Sequence, residues 1–216
     1  MAVLTPIDDA DAGALVSAYG LGTLRGWEGI AGGSVNSNFA VATDRGRFFL
    51  RLYEEQDREG AERETAMLVR LSAAGVATPA PLPTAQGSRV WELRGKPAAV
   101  FPWRDGTMRC QAGVTADDAR RVGEALARMH VAGGSEAAPE SRFGIGPLQR
   151  RIDRIEASGH PVFAPLAPAL RGWLEETDGA RDRSLPHGLI HGDLFRDNVL
   201  WAPSGEIAAL LDFESA

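Results

Sequence analysis

His191-Gly-Asp193 opens a stretch that runs through Leu-Phe-Arg-Asp to Asn198, and fourteen residues beyond that Asn, Asp212 closes the apolar run Ile207-Ala-Ala-Leu-Leu211. These residue types suit the transfer of a phosphoryl group. A carboxylate such as Asp193 can take the proton of a substrate hydroxyl. The amide oxygen of Asn198 and the carboxylate of Asp212 are hard donors of the kind magnesium prefers, one or two from the protein and the rest from phosphates and water. Base and ligands must face one small volume, because phosphoryl transfer asks a protein for positioning and charge neutralisation more than for covalent chemistry.

The elements that would hold these residues can be read from the same stretch. Val199-Leu-Trp201 reads as a strand, Pro203-Ser-Gly205 as a turn, and Ile207–Leu211 as a returning strand. A hairpin of that kind carries Asn198 out at one end and brings Asp212 back beside it. The spacing is the H-x-D-x-x-x-x-N … D-F arrangement of a kinase catalytic loop and its metal-binding aspartate.

The phosphates need a separate grip. No Gly-Lys-Ser/Thr phosphate loop is present, and Lys96, in the turn-like Arg94-Gly-Lys96-Pro97, is the only lysine. Two other features offer that grip. One is the Gly-rich turn Gly29-Ile-Ala-Gly32-Gly33-Ser34-Val-Asn36-Ser37-Asn38, whose glycines allow close backbone approach and whose Ser34, Asn36 and Ser37 add donors. The other is Arg51. In the run Arg47–Tyr53, period-two alternation puts Phe48, Leu50 and Leu52 on one face and Arg47, Phe49, Arg51 and Tyr53 on the other. A mid-strand Arg between aromatics needs a partner. The helix expected over 60–74, ended by Gly75, carries Glu64 on the same stripe as Leu68 and Leu71, so an Arg51–Glu64 pair is expected beside the phosphates.

Strands are expected at 27–30, 39–43 and 47–53, with a hairpin from 90–93 and 97–101. Pro102-Trp103-Arg-Asp-Gly106 reads as a hinge whose backbone, near Phe101 to Trp103, is placed to bind adenine. Beyond it the pattern turns helical. Thr115 with Asp118 forms a capping box before the stripe Val122, Leu126 and Met129, and helices follow near 147–157 and 165–176. The expected plan is α+β with two lobes like a protein kinase: residues 1–102 as an antiparallel-sheet nucleotide lobe, and 103–216 as a mainly helical catalytic lobe. His130, His160, His187 and Cys110 show no catalytic pattern.

The composition narrows the function classes. At 216 residues and 44% hydrophobic the chain can bury a real core. One cysteine excludes a disulfide framework and a cysteine metal cluster. A net charge of −6 without a basic run argues against nucleic acid as partner. An acidic N-terminus broken by Pro6 and the lack of a long apolar run argue against a leader or a membrane span, so a cytoplasmic enzyme is expected.

With these residues in view, the chain resembles the aminoglycoside phosphotransferase and choline kinase superfamily. Within it, Gly29–Phe39, Gly123–Gly133 and Leu189–Leu200 are most similar to the homoserine kinases. The resemblance implies ATP- and magnesium-dependent phosphorylation of the L-homoserine hydroxyl, a step towards threonine. Asp193 would be the base, Asn198 and Asp212 the metal ligands, and Arg51 with Glu64 the phosphate-side pair. Members of that superfamily continue past the Asp-Phe motif, so a C-terminally truncated fold with an incomplete catalytic lobe is expected here. Two alternatives stay open: another acceptor, such as choline or an aminoglycoside, and a non-catalytic nucleotide-binding fragment. The oligomeric state is not legible.

Overall fold

The Asp8 carboxylate accepts a hydrogen bond from the Asp11 amide and the Asp11 carboxylate accepts one from the Asp8 amide, a capping box that starts helix α1 (Asp9–Ala18). The apolar pattern alone gives no helix here, because its core-facing positions are few and one of them is only an alanine: Ala12, Leu15 and Val16 are the buried ones. The structure, a computed structural model, describes residues 3–31, 35–134, 143–182 and 184–216.

Five strands follow the expected hairpin rhythm: β1 (Leu24–Gly29), β2 (Ser37–Thr43), β3 (Gly46–Leu52), β4 (Trp91–Leu93) and β5 (Lys96–Pro102). They form one sheet in the order β1-β2-β3-β5-β4, and every neighbouring pair is antiparallel. The β4–β5 turn is made by Arg94 (φ 54°) and Gly95 (φ 72°), the left-handed pair that suits a tight hairpin. Lys96 is therefore the first residue of β5 and not part of the turn. Helix α2 (Arg58–Ala73) is capped by Asp57, which accepts from the Gly60 amide at 2.8 Å. It stops where Gly75 takes φ 83° and the Val76 amide reaches back to Leu71 O at 3.0 Å.

Alternation along β3 sorts the molecule into two cores. Leu50 and Leu52 join Phe39, Val41, Val100 and the buried side of α1 on one face of the sheet. On the other face Tyr53 and Phe101 pack with Leu68 and Leu71 of α2. That second core runs on into the C-terminal half through Met129, Val199, Leu210 and Phe213.

The C-terminal half is mainly helical, with α3 (Ala116–Gly133), α4 (Ile145–Ala157) and α5 (Ala167–Gly179). The Thr115–Asp118 capping box starts α3 as its sequence indicates. The short hairpin of β6 (Val199–Trp201) and β7 (Ile207–Leu210) is a separate two-stranded sheet. Mutual backbone bonds of 2.9 Å between Thr107 and Trp201 fasten this hairpin to the segment leaving β5, and Leu210 donates to Ala77 O at 2.6 Å. The whole is the two-lobe α+β plan expected. No helix among the described residues is long and apolar enough to cross a membrane.

Candidate active site

The loop that carries Asp193 is fixed by its neighbours on both sides. Gly192 has φ 77°, and a Cβ there would lie 2.5 Å from Ser215 O, so only glycine fits between His191 and Asp193. His191 is almost fully buried. Its Nε2 donates to Leu211 O at 2.9 Å, and its ring lies 4.4 Å, centroid to centroid, from that of Phe213. Burial lowers its pKa despite the opposing pull of the Leu211 carbonyl and the Asp212 and Asp193 charges, so the imidazole is neutral and works as a brace.

Asn198 is held in turn. Its Nδ2 donates to Asp193 O at 2.8 Å, and its own carbonyl accepts from the Leu211 amide at 2.8 Å. The side-chain N–H is thereby spent on the loop, which leaves Oδ1 as the donor atom for a cation. Pairing of Val199 with Leu210 then sets Asn198 and Asp212 at the same end of the hairpin. Asp212 itself sits at φ 63°, a left-handed conformation that Asp tolerates better than most residues and that tends to mark functional positions.

Across from this hairpin lies Arg51, in the middle of the sheet and opposite Asn38 and Ala99 in register. Its Nη1 is 3.5 Å from Glu64 Oε1, 3.4 Å from Glu214 Oε1 and 3.7 Å from Asp212 Oδ1. Burial opposes its charge, but Glu64 first, then Tyr53, Asp212 and Glu214, outweigh this and raise its pKa. Glu64 is fully engaged: it also accepts from Tyr53 Oη at 3.2 Å and from Gln56 Nε2 at 2.9 Å. Three carboxylates thus converge on one guanidinium, an excess of negative charge that favours a cation beside them. Asp212 Oδ1 is buried without a hydrogen-bond partner.

The other residues singled out by sequence fall in several places. Asn36 is buried in the cluster: its Oδ1 accepts from the Glu54 amide at 3.1 Å and its Nδ2 donates to Glu214. Ser37 is a structural residue and not a free donor. It accepts from the Leu4 and Thr5 amides at 2.8 and 2.9 Å and donates to Glu54. Lys96 is paired with Glu54 at 2.9 Å, so Arg51 is the cation of the central cluster. Phe101 is buried in the second core, its ring edge-on to Phe49 at 6.1 Å. Trp103 lies under the Arg47 guanidinium at 3.7 Å and donates from Nε1 to Asp105 at 3.2 Å, apart from the Arg51 cluster. Gly32, Gly33 and Ser34 lie outside the described residues. A cavity of about 330 Å³ between Tyr53 and Lys96 borders the Glu54 network and does not include Asp193, Asn198 or Asp212.

Glu214 is the residue that sequence reasoning missed. Its only signal was a second acidic residue two positions after Asp212.

Comparison with known proteins bears on the family and the fold. A family model described as the phosphotransferase enzyme family (APH) matches residues 26–216. The chain belongs to that family. Among curated relatives, the homoserine kinase of Methylocella silvestris is 34% identical over 99% of this chain, and that of Rhizobium etli is 35% identical over 99%. The chain spans 66% of the length of each. Solved structures share the fold. An amicoumacin kinase in complex with AMP-PNP, calcium and its substrate gives a TM-score of 0.73 at 17% identity, covering 94% of this chain and 62% of that one. A spectinomycin phosphotransferase in complex with ADP and spectinomycin gives 0.68 at 14% identity, covering 98% and 70%.

Proposed function

We propose that this chain transfers the γ-phosphoryl group of ATP to the hydroxyl of a small alcohol in the cytoplasm, with L-homoserine as the acceptor. Residues 1–102 would serve the nucleotide, and 103–216 would supply the base and face the acceptor. The observation that carries the reading is the convergence at the end of the β6–β7 hairpin: Asn198 and Asp212 side by side, with Arg51 at 3.7 Å from Asp212 and paired to Glu64. The names of the relatives at 34% and 35% identity favour homoserine over an aminoglycoside.

The residues fit magnesium. The donors are an amide oxygen and a carboxylate, and Asp212 Oδ1 is buried with no hydrogen-bond partner. Asn198 and Asp212 would hold the ion, which would neutralise phosphate charge during transfer. Arg51 then grips the phosphates from the sheet side, kept in place by Glu64. Asp193 orients the acceptor hydroxyl and takes its proton as the new O–P bond forms and ADP leaves. His191 keeps Asp193 and Asp212 in register through Leu211.

The test is product formation from ATP with L-homoserine, choline and an aminoglycoside in parallel. Phosphohomoserine as the dominant product is expected, and Asp212→Asn should raise the magnesium concentration needed. Transfer to one of the other alcohols in preference would replace the acceptor. An unchanged magnesium requirement in Asp212→Asn would remove Asp212 from the metal site.

A further inference from the structure

Resting on that reading, we propose that Glu214 is a positioning residue, a strut that ties the Gly-rich turn before β2 to the segment carrying Asp212 and holds Arg51 between the two. One carboxylate oxygen makes both contacts. Glu214 Oε1 accepts from Asn36 Nδ2 and lies 3.4 Å from Arg51 Nη1. The side chain of Glu214 is only 9% exposed and Asn36 is 5% exposed, so neither contact is a solvated surface pair.

The Asn36 amide is occupied at both ends. Its oxygen holds the Glu54 amide at the exit of β3, and its nitrogen holds Glu214. A single side chain therefore joins the turn to the central strand and to the C-terminal half. Arg51 is nearly equidistant from Glu64 on α2 and Glu214, at 3.5 and 3.4 Å. Without Glu214 the guanidinium keeps its anchor on α2 and the longer 3.7 Å contact with Asp212, but loses the nearer of its two carboxylates on the metal side. Nucleotide phosphates have to meet Arg51 and the metal ligands together, so the spacing between sheet and hairpin governs affinity. Contacts of a buried carboxylate with a guanidinium and an amide are strong enough to set that spacing.

The experiment compares wild type, Glu214→Ala, Glu214→Gln, Asn36→Ala and the double variant Asn36→Ala/Glu214→Ala. The readouts are amide hydrogen exchange at residues 35–38 and calorimetric affinity for AMP-PNP with magnesium. Glu214→Ala should speed exchange at 35–38 by about tenfold while α1 amides stay unchanged, and should weaken AMP-PNP by about tenfold. Glu214→Gln keeps an acceptor for Asn36, so exchange should stay near wild type while AMP-PNP weakens through the lost charge on Arg51. The double variant should exchange no faster than Asn36→Ala alone, since Asn36→Ala already cuts the link to Glu214 along with the one to Glu54. Unchanged exchange in Glu214→Ala, or effects of the two single variants that simply add, would overturn the strut. If Glu214→Ala does not fold, Glu214→Gln decides: wild-type AMP-PNP affinity in that variant overturns the proposal. Wild-type protein that binds no AMP-PNP would sink the phosphotransfer reading instead, with the exchange data still deciding the strut.

Discussion

The sheet and the α4–α5 hairpin are stabilised in different ways. The sheet is covered on both faces: α1 lies against Leu50 and Leu52, while α2 and the β6–β7 hairpin lie against Tyr53 and Phe101. The α4–α5 pair buries little beyond Ile152 and Ala167, while Phe163, Leu166 and Trp173 stay exposed. Its visible cross-links are ion pairs from Arg171 to Asp153 at 2.8 Å and to Glu156 at 2.5 Å. Apolar burial contributes roughly 25 cal/mol per Å², whereas exposed ion pairs are screened. The candidate site lies at the edge of the well-packed region, where its groups can be held still.

The largest effect should come from breaking the sheet side. Leu50 is fully buried, and Leu50→Ala should cost about 2–5 kcal/mol in urea unfolding. A loss of less than about 1 kcal/mol would mean that the seat of stability lies elsewhere. At the junction, Asp193→Asn should lower turnover by roughly 10²-fold or more with the unfolding midpoint unchanged. Equal turnover in a folded, metal-loaded variant would remove Asp193 as base. Arg51→Ala should weaken nucleotide binding by about tenfold, a change of about 1.4 kcal/mol, and Arg51→Lys should retain part of it, because lysine keeps the charge and loses the planar fork. Identical affinities for the two variants would argue that geometry and not charge is what counts.

A smaller effect is expected from pH. Burial holds the pKa of His191 below its ordinary value of 6.5. Above about pH 6.5 both folded and unfolded chains carry it neutral and nothing is lost. As pH falls through that value, the unfolded chain takes a proton that the folded one refuses, so stability drops until the folded pKa is reached. His191→Gln should flatten that part of a stability–pH profile, and an unaltered slope would mean His191 is not the group responsible. The smallest change belongs to the helical pair. Arg171→Ala should leave the unfolding midpoint almost where it was, since its partners are solvent-exposed. A large drop there would overturn the contrast between the two regions.

The same contrast governs how much of the molecule could be read from sequence. The hairpin and the loop before it were legible as local structure because His191, Asp193, Asn198 and Asp212 lie close along the chain and a short turn brings its strands together. Arg51 and Glu64 were legible because strand and helix periodicities place a charge on an apolar stripe, and the 3.5 Å pair is there. Helix α1 escaped because its apolar side is thin, although Asp8 and Asp11 gave a start signal. Glu214 escaped for a different reason: its partner Asn36 is 178 residues away, and no local pattern encodes such a contact. Ser37 looked like a phosphate donor because nothing in its neighbourhood reveals that the amides of Leu4 and Thr5 claim its oxygen.

Lys96 has a practical consequence. It is the chain's only lysine, its side chain is 33% exposed, and its amine rests on Glu54, which also accepts from Thr5 and Ser37. An amine-directed probe therefore has one side-chain address on the whole polypeptide. That address lies at the edge of the bonded network that props the turn before β2. A fluorophore or isotopic tag placed there would serve as a built-in gauge of that network, without any residue being engineered in.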